Sequence, residues 1–182
     1  MMTSTLIIGL GNPILGDDGV GWRVAEQVCK RLGIADFGSR VSVRATQPEI
    51  RCPQSEVEVD CAALGGLSLM ERMVGYDRAI LIDAIATGQM PAGTVTRFAL
   101  EELPKPGAGH TTSAHDTSLH TALEIGRAMG ARLPDEVTVI AIESPHVYDF
   151  SEELSPPIAA VVPRAADMVL AALETQPIPK ED

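Results

Sequence analysis

The stretch TLIIGLGNPILGDDGVG, residues 5–21, decides the fold. Its first six residues form an uncharged apolar run that ends at Gly11, Asn12 and Pro13, and such a run is typical of a buried strand. From about residue 18 to residue 32 the pattern is helical, because valine or leucine recurs every four positions until Gly33, which predicts a C-terminal cap. A buried strand followed by a helix predicts the first unit of an α/β fold.

The same alternation of strand and helix patterns continues along the chain. Residues 78–83 (RAILID) predict the central strand, apolar on both faces and ending on Asp83, and residues 93–100 predict an edge strand. The other strand patterns lie at residues 41–45, 57–61 and 136–142, and the other helical patterns at residues 64–74, 115–129 and 156–173. Pro163 is expected to kink the last helix or to split off its first turn.

These patterns predict an α/β fold with a mainly parallel sheet. The chain shows no internal repeat and no change of composition that would mark a second domain. We therefore expect a single domain over residues 1–182, with a frayed tail at residues 176–182.

Composition and charge narrow the class of protein. The 182 residues can bury about 70% of the surface of the open chain, so a core forms without disulfides or a structural metal. The net charge of −11 and the aromatic content of 3% argue against nucleic acid and anionic membranes as partners. Three cysteines without a CxxC motif indicate free thiols. With no early basic residue and no apolar run of about 18 residues, we expect a soluble cytoplasmic protein.

The glycine-rich loop after the first strand does not match a nucleotide-binding motif. Ile14 stands where the dinucleotide fingerprint needs its third glycine. Gly11 and Gly16 have the spacing of a phosphate-binding loop, but Asp17 and Asp18 occupy the positions of its lysine and its hydroxyl residue. The loop therefore presents carboxylates at the start of a helix, where Asp17 or Asp18 is also well explained as an N-cap.

Asp83 gives the two loop carboxylates a possible partner. In a doubly wound sheet, ligands bind beyond the carboxyl ends of the strands. If the strands that precede Asp18 and Asp83 are parallel neighbours, their carboxylates meet at one crevice. Two such groups either share a proton or hold a cation.

A histidine ligand beside the two carboxylates would favour a bound cation over a shared proton. His110 and His146 fall in predicted loops, and His120 lies in the middle of a predicted helix. His115 precedes Asp116 where the third helix begins, and the positive potential there keeps an imidazole neutral and able to bind metal. Asp116 either caps that helix or orients the imidazole. We therefore predict a metal site made by Asp18, Asp83 and His115, and Cys29 and Cys61 are interpreted as buried small residues.

The ordered motifs GLGN-x4-DDGVG at residues 9–21, IDA at 82–84 and SAHD at 113–116 resemble those of the hydrogenase maturation endopeptidases. The resemblance covers residues 5–172 and implies a three-layer αβα fold, phosphorylase/hydrolase-like, with a twisted, mostly parallel sheet flanked by helices. It also implies that Asp18, Asp83 and His115 bind metal, while Gly11, Asn12, Asp17 and Asp116 shape the loops or orient the ligands. Some members have Glu where this chain has Asp18.

The resemblance further implies the reaction. Members of the family remove a short C-terminal peptide from the large-subunit precursor of a nickel–iron hydrogenase once nickel is inserted, so that precursor is the expected partner. Nickel is expected to be presented by the precursor, with zinc or another divalent ion able to bind the isolated protein. No nucleophile is assigned. The chain departs from the family pattern at residues 44–55 and at residues 142–145.

Two other functions stay open on the sequence alone. The opening GLGNP at residues 9–13 is also how peptidyl-tRNA hydrolases begin, although Asp17, Asp18 and Gly19 stand where those enzymes place a catalytic histidine. A metal-sensing maturation chaperone without catalytic activity is the other alternative, because no nucleophile or general base stands out.

Overall fold

A computed structural model describes residues 3–35, 37, 40–43, 55–102 and 116–174. Within them the chain forms one six-stranded sheet in the order β2-β3-β1-β4-β6-β5. The strands are β1 (Thr3–Leu10), β2 (Arg40–Val43), β3 (Ser55–Ala62), β4 (Arg78–Ile85), β5 (Val95–Ala99) and β6 (Glu136–Glu143). The four central strands are parallel, and β2 and β5 are antiparallel strands at the two edges. The predicted mainly parallel sheet and its edge strand are confirmed.

Helices cover both faces of the sheet. They are α1 (Val20–Leu32), α2 (Gly66–Met73), α3 (Asp116–Ala128), α4 (Pro156–Ala159) and α5 (Val162–Glu174), with short 3₁₀ turns at Gly16–Gly19 and Leu100–Glu102. Residues of α1 and α5 share one apolar cluster with one face of the sheet, and residues of α2 and α3 share a second cluster with the other face. This confirms the three-layer αβα fold, and Gly33 caps α1 at a φ of 69° as predicted.

Strand β4 separates the two apolar layers. Because side chains alternate along a strand, Ile80 and Ile82 pack toward α1 and α5, whereas Leu81 and Ile85 pack toward α2 and α3. By the same alternation Asp83 belongs to the side of α2 and α3, where it is 2% exposed. The strand that carries the candidate carboxylate is therefore buried on both faces.

Two of the boundaries that differ from the predictions have a clear physical reason. Strand β4 does not end on Asp83 but continues through Ile85, because Ala84 and Ile85 remain paired with β6. The last helix is divided between Ala159 and Val162, so Pro163 lies in the first turn of α5, where a missing N–H costs least. The predicted tail at residues 176–182 and the loop at residues 44–54 lie outside the described residues.

One apolar stretch of the chain reaches the length of a membrane span, although no such run was expected from the sequence. Residues 156–174 are long and apolar enough for a membrane span by length and composition alone. The structure divides this stretch into α4 and α5 and buries Ile158, Ala165 and Val169 completely against the sheet. It is a helical part of the core in this fold.

Candidate functional site

The loop between β1 and α1 holds the Asp18 carboxylate in place. The N–H of Asn12 donates to Oδ2 of Asp18 at 2.6 Å, and the N–H of Ile14 donates to Oδ1 of Asn12 at 3.2 Å. Gly11 has a φ of +112°, and a Cβ there would lie 1.9 Å from the Asp18 carbonyl oxygen. Within the described residues no group donates a hydrogen bond to Oδ1 of Asp18, so one carboxylate oxygen is held and the other is available.

Asp17 has a different role from its neighbour. Its carboxylate is 1% exposed and accepts three hydrogen bonds: from the Ser144 hydroxyl at 2.6 Å, the Ser155 N–H at 2.7 Å and the Ser155 hydroxyl at 2.8 Å. Neither the 3₁₀ turn at Gly16–Gly19 nor α1 has a side-chain cap, so the N-cap interpretation is wrong. Asp17 instead fixes the first loop to the segment that follows β6.

Asp83 approaches this loop from the neighbouring strand. β1 and β4 are parallel neighbours, as the crevice hypothesis required, with Gly9 paired to Ile82. A Cβ on Gly21 would lie 2.2 Å from the Leu10 carbonyl oxygen and 2.5 Å from that of Ile82, so the start of α1 rests on the end of β1 and on β4 next to Asp83. The loop of Asp18 therefore leaves the end of β1 beside the part of β4 that carries Asp83, two residues before β4 ends at Ile85. The carboxylate itself is buried inside the strand instead of closing it.

His115 and His110 lie outside the described residues, and nothing is described of the Asp116 side chain. Helix α3 begins at Asp116, and its last turn contacts the loop before β6, where Arg127 donates to the Pro134 carbonyl oxygen at 3.1 Å. The first turn of α3 consequently lies toward the carboxyl edge, on the side to which Asp83 belongs. Among the residues that are described, no three His, Cys, Asp or Glu side chains form a metal cluster. The ligand set Asp18, Asp83 and His115 stays a prediction.

The other described histidines are paired at the surface. His120 lies 3.4 Å from the Glu124 carboxylate on α3, and Nδ1 of His146 lies 3.0 Å from the Asp149 carboxylate. Both imidazoles are more than half exposed. Both are surface residues, one in the predicted helix and the other in the predicted loop.

The two cysteines that the structure describes, Cys29 and Cys61, are unsuited to nucleophilic catalysis. Burial, with smaller contributions from Cys29 and Glu26, raises the pKa of the Cys61 thiol to about 12. Burial and the Glu26 carboxylate also raise the pKa of Cys29. Cys29 is buried as predicted, whereas Cys61 is only partly buried. Because the thiolate is the reactive form, neither group is an activated nucleophile.

Sequence reasoning missed a buried carboxylate at the same edge of the sheet. Glu143, 3% exposed at the end of β6, accepts hydrogen bonds from the Thr87 hydroxyl at 2.7 Å and the Gly88 N–H at 2.8 Å. It thereby fixes the loop that follows β4. The only signal in the sequence was the departure from the family pattern at residues 142–145.

The fold and the site define an α/β enzyme domain with carboxylates at the carboxyl edge of a parallel sheet. The sequence profile of the family described as hydrogenase maturation protease (HycI) matches residues 47–172. The chain therefore belongs to the hydrogenase maturation protease family and is an endopeptidase.

Individual relatives agree with this assignment. The chain is 27% identical to the hydrogenase 2 maturation protease of Escherichia coli over 97% of its length and 96% of that protein. It is 26% identical to the hydrogenase expression/formation protein HupD of Rhizobium leguminosarum, over 93% of this chain and 74% of that protein. The solved structure of the hydrogenase maturating endopeptidase HybD from E. coli superposes with a TM-score of 0.69 at 25% identity, covering 95% of this chain and 92% of that one.

Proposed function

We propose that this endopeptidase removes a C-terminal peptide from the large-subunit precursor of a nickel–iron hydrogenase, in the cytoplasm, after nickel has been inserted. Family membership supports the class of reaction. The geometry of Asp18 supports a metal-dependent step, because its carboxylate is held through one oxygen by the Asn12 N–H and stands beside the strand of Asp83. This held carboxylate is the observation that carries the proposal.

The nickel ion is treated as part of the substrate. Two carboxylates and a neutral imidazole are ligands that suit nickel or zinc, and three such ligands leave further positions open for groups of the precursor. In this proposal Asp18, Asp83 and His115 contact the nickel that the precursor presents, and Asp116 orients His115. Gly11 and Asn12 shape the loop, and Asp17 fixes it to the segment after β6.

Recognition of the metal explains the order of events. If cleavage requires all three residues to contact nickel, a precursor without nickel is not a substrate, and processing waits for metal insertion. A bound divalent ion can also polarise the scissile carbonyl group or activate a water molecule. The two roles share the same residues, so both require Asp18, Asp83 and His115.

The test is the cleavage of a nickel-loaded large-subunit precursor, followed by mass spectrometry of the shortened product. We expect Asp83→Asn and His115→Ala to lower the rate at least 100-fold. His120→Ala is the matched control, because this imidazole is exposed and pairs with Glu124 among the described side chains, and the variant should cleave at the wild-type rate. A wild-type rate for either Asp83→Asn or His115→Ala would contradict the proposal.

Two further measurements separate the alternatives. A shortened large subunit that appears only in the presence of this protein distinguishes a protease from a chaperone without catalytic activity. Negligible hydrolysis of peptidyl-tRNA excludes the esterase alternative, as the acidic net charge of −11 leads us to expect.

A further inference from the structure

The loop between β6 and α4, residues 144–155, exposes two aromatic side chains. Val147 is buried at 8% exposure and anchors the loop in the core, whereas Tyr148 is 70% exposed and Phe150 is 86% exposed. The whole chain has only three Phe, two Tyr and one Trp. Two large aromatic side chains kept at the surface by one loop contribute little to the core, and such exposure is typical of contact sites for a partner.

This loop is joined to the loop of Asp18 by backbone hydrogen bonds. The N–H of Gly16 donates to the Ser151 carbonyl oxygen at 2.7 Å, and the N–H of Ser151 donates to the Ile14 carbonyl oxygen at 3.2 Å. Ile14 is itself 48% exposed. We define Ile14, Tyr148 and Phe150 as the apolar patch. Its backbone is held before any partner arrives, so little conformational entropy is lost on binding.

The surroundings of the patch are acidic. A cavity of about 340 Å³ lies between the two loops, and the residues that line it include Asp17, Asp149 and Glu153 together with Ser151, Ser155 and His146. Residues 144–155 contain no lysine or arginine. Among the described side chains, Arg23 contacts this loop by donating to the Glu152 carbonyl oxygen at 3.2 Å, and it also pairs with Glu26. The electrostatics therefore favour a partner segment that carries positive charge.

We propose that the apolar patch is the docking surface for a segment of the hydrogenase precursor that places a lysine or arginine beside apolar side chains. This inference rests on the proposed function. It adds the surface that holds the substrate polypeptide and the chemistry of that contact. The apolar side chains contact Tyr148, Phe150 and Ile14, and the basic group enters the acidic cavity. The hydrogen bonds to Ile14 and Gly16 make this surface continuous with the candidate site, so one bound segment reaches both.

The first experiment measures cleavage of the nickel-loaded precursor by the double variant Tyr148→Ser/Phe150→Ser. We expect KM to rise about tenfold or more while kcat stays within twofold, because the patch binds substrate and does not contact the reacting atoms. Ile125→Ser/Met129→Ser is the matched control, since Ile125 in the last turns of α3 and Met129 just after it are 45% and 83% exposed and lie toward the opposite edge of the sheet. An unchanged KM in the patch variant, or an equal rise in the control, would overturn the proposal.

The second experiment measures binding of the same precursor by biolayer interferometry, without cleavage. Glu153→Gln should weaken binding at least threefold at low salt, and this difference should shrink in 0.5 M NaCl; Glu101→Gln is the matched control at a distant exposed position. If the precursor binds with this dependence but is not cleaved, the proposed function fails and the docking surface stands. If cleavage occurs but neither Glu153→Gln nor the patch variant changes the affinity, the docking surface fails and the proposed function stands.

Discussion

Replacing Asp17 with alanine should destabilise the fold more than any other single change to a carboxylate in the first loop. The buried Asp17 carboxylate receives three donors, the Ser144 hydroxyl and both the N–H and the hydroxyl of Ser155. These donors lie 127 and 138 residues away in sequence, so the carboxylate fixes three segments at once. Alanine removes this acceptor, so all three donors lose their hydrogen bonds to residue 17.

The expected magnitude follows from the number of donors. A hydrogen bond to a charged group contributes about 1.5–3 kcal/mol, and contributions within one network do not add in full. Water can reach part of this network through the adjoining cavity and replace some of the lost bonds. We therefore expect Asp17→Ala to lower the free energy of unfolding by about 3–4 kcal/mol, a large part of the roughly 5–15 kcal/mol typical of a domain.

Urea denaturation followed by circular dichroism measures this change. Asp17→Asn keeps one acceptor for the Ser155 N–H and presents an amide to hydroxyls that can rotate, so its loss should be smaller, about 1–2 kcal/mol. Asp149→Ala, with a carboxylate 69% exposed, is the control and should change stability by less than about 0.5 kcal/mol. A loss below about 1 kcal/mol for Asp17→Ala would refute the reasoning.

Three further predictions concern other parts of the chain. Gly11→Ala should cost about 2–4 kcal/mol in urea denaturation, because its Cβ would lie 1.9 Å from the Asp18 carbonyl oxygen at a φ of +112°; an unchanged midpoint would contradict this. Hydrogen bonds from the Ser4 N–H and then from Arg132 lower the pKa of Asp77. The stability difference between wild type and Asp77→Asn should therefore be complete above about pH 4 and shrink as the pH falls through the pKa of Asp77 in the folded protein. A difference that does not change with pH would exclude this linkage. At pH 8, iodoacetamide should modify Cys61 about a thousandfold more slowly in the folded protein than in urea, because burial raises the pKa of this thiol to about 12. Mass spectrometry of the peptide that contains Cys61 measures both rates, and equal rates would count against the buried thiol.

Local patterns predicted the sheet because each central strand is a short apolar run. β1 and β4 were recognisable for that reason, and the alternation with helices correctly implied that they are parallel. The end of β4 was missed because a carboxylate within a strand resembles a stop signal. Ala84 and Ile85 nevertheless continue the ladder opposite Ile142 and Glu143, and this pairing is a tertiary property.

The role of Asp17 could not be predicted from the sequence for a related reason. Its position before a helix is typical of an N-cap, which is a local interaction. Its actual partners, Ser144 and Ser155, come from the far end of the chain and have no sequence pattern that links them to residue 17. The Asn12–Asp18 hydrogen bond, by contrast, spans only six residues, within a loop whose glycines were already visible.

The two sides of the sheet explain why His115 is a better candidate ligand than His146. Asp83 belongs to the side that α2 and α3 cover, whereas the chain after Asp18 leads into α1 on the opposite side. In the proposed site, a metal shared by these carboxylates would therefore lie above the strand ends, between the two sides. A ligand on the α3 side completes such a site, and His115 directly precedes α3. His146 follows β6 in the loop whose Val147 packs in the cluster of α1 and α5, and its imidazole pairs with Asp149. The position of α3, together with the buried orientation of Asp83, thus supports the three ligands Asp18, Asp83 and His115 as the set to test.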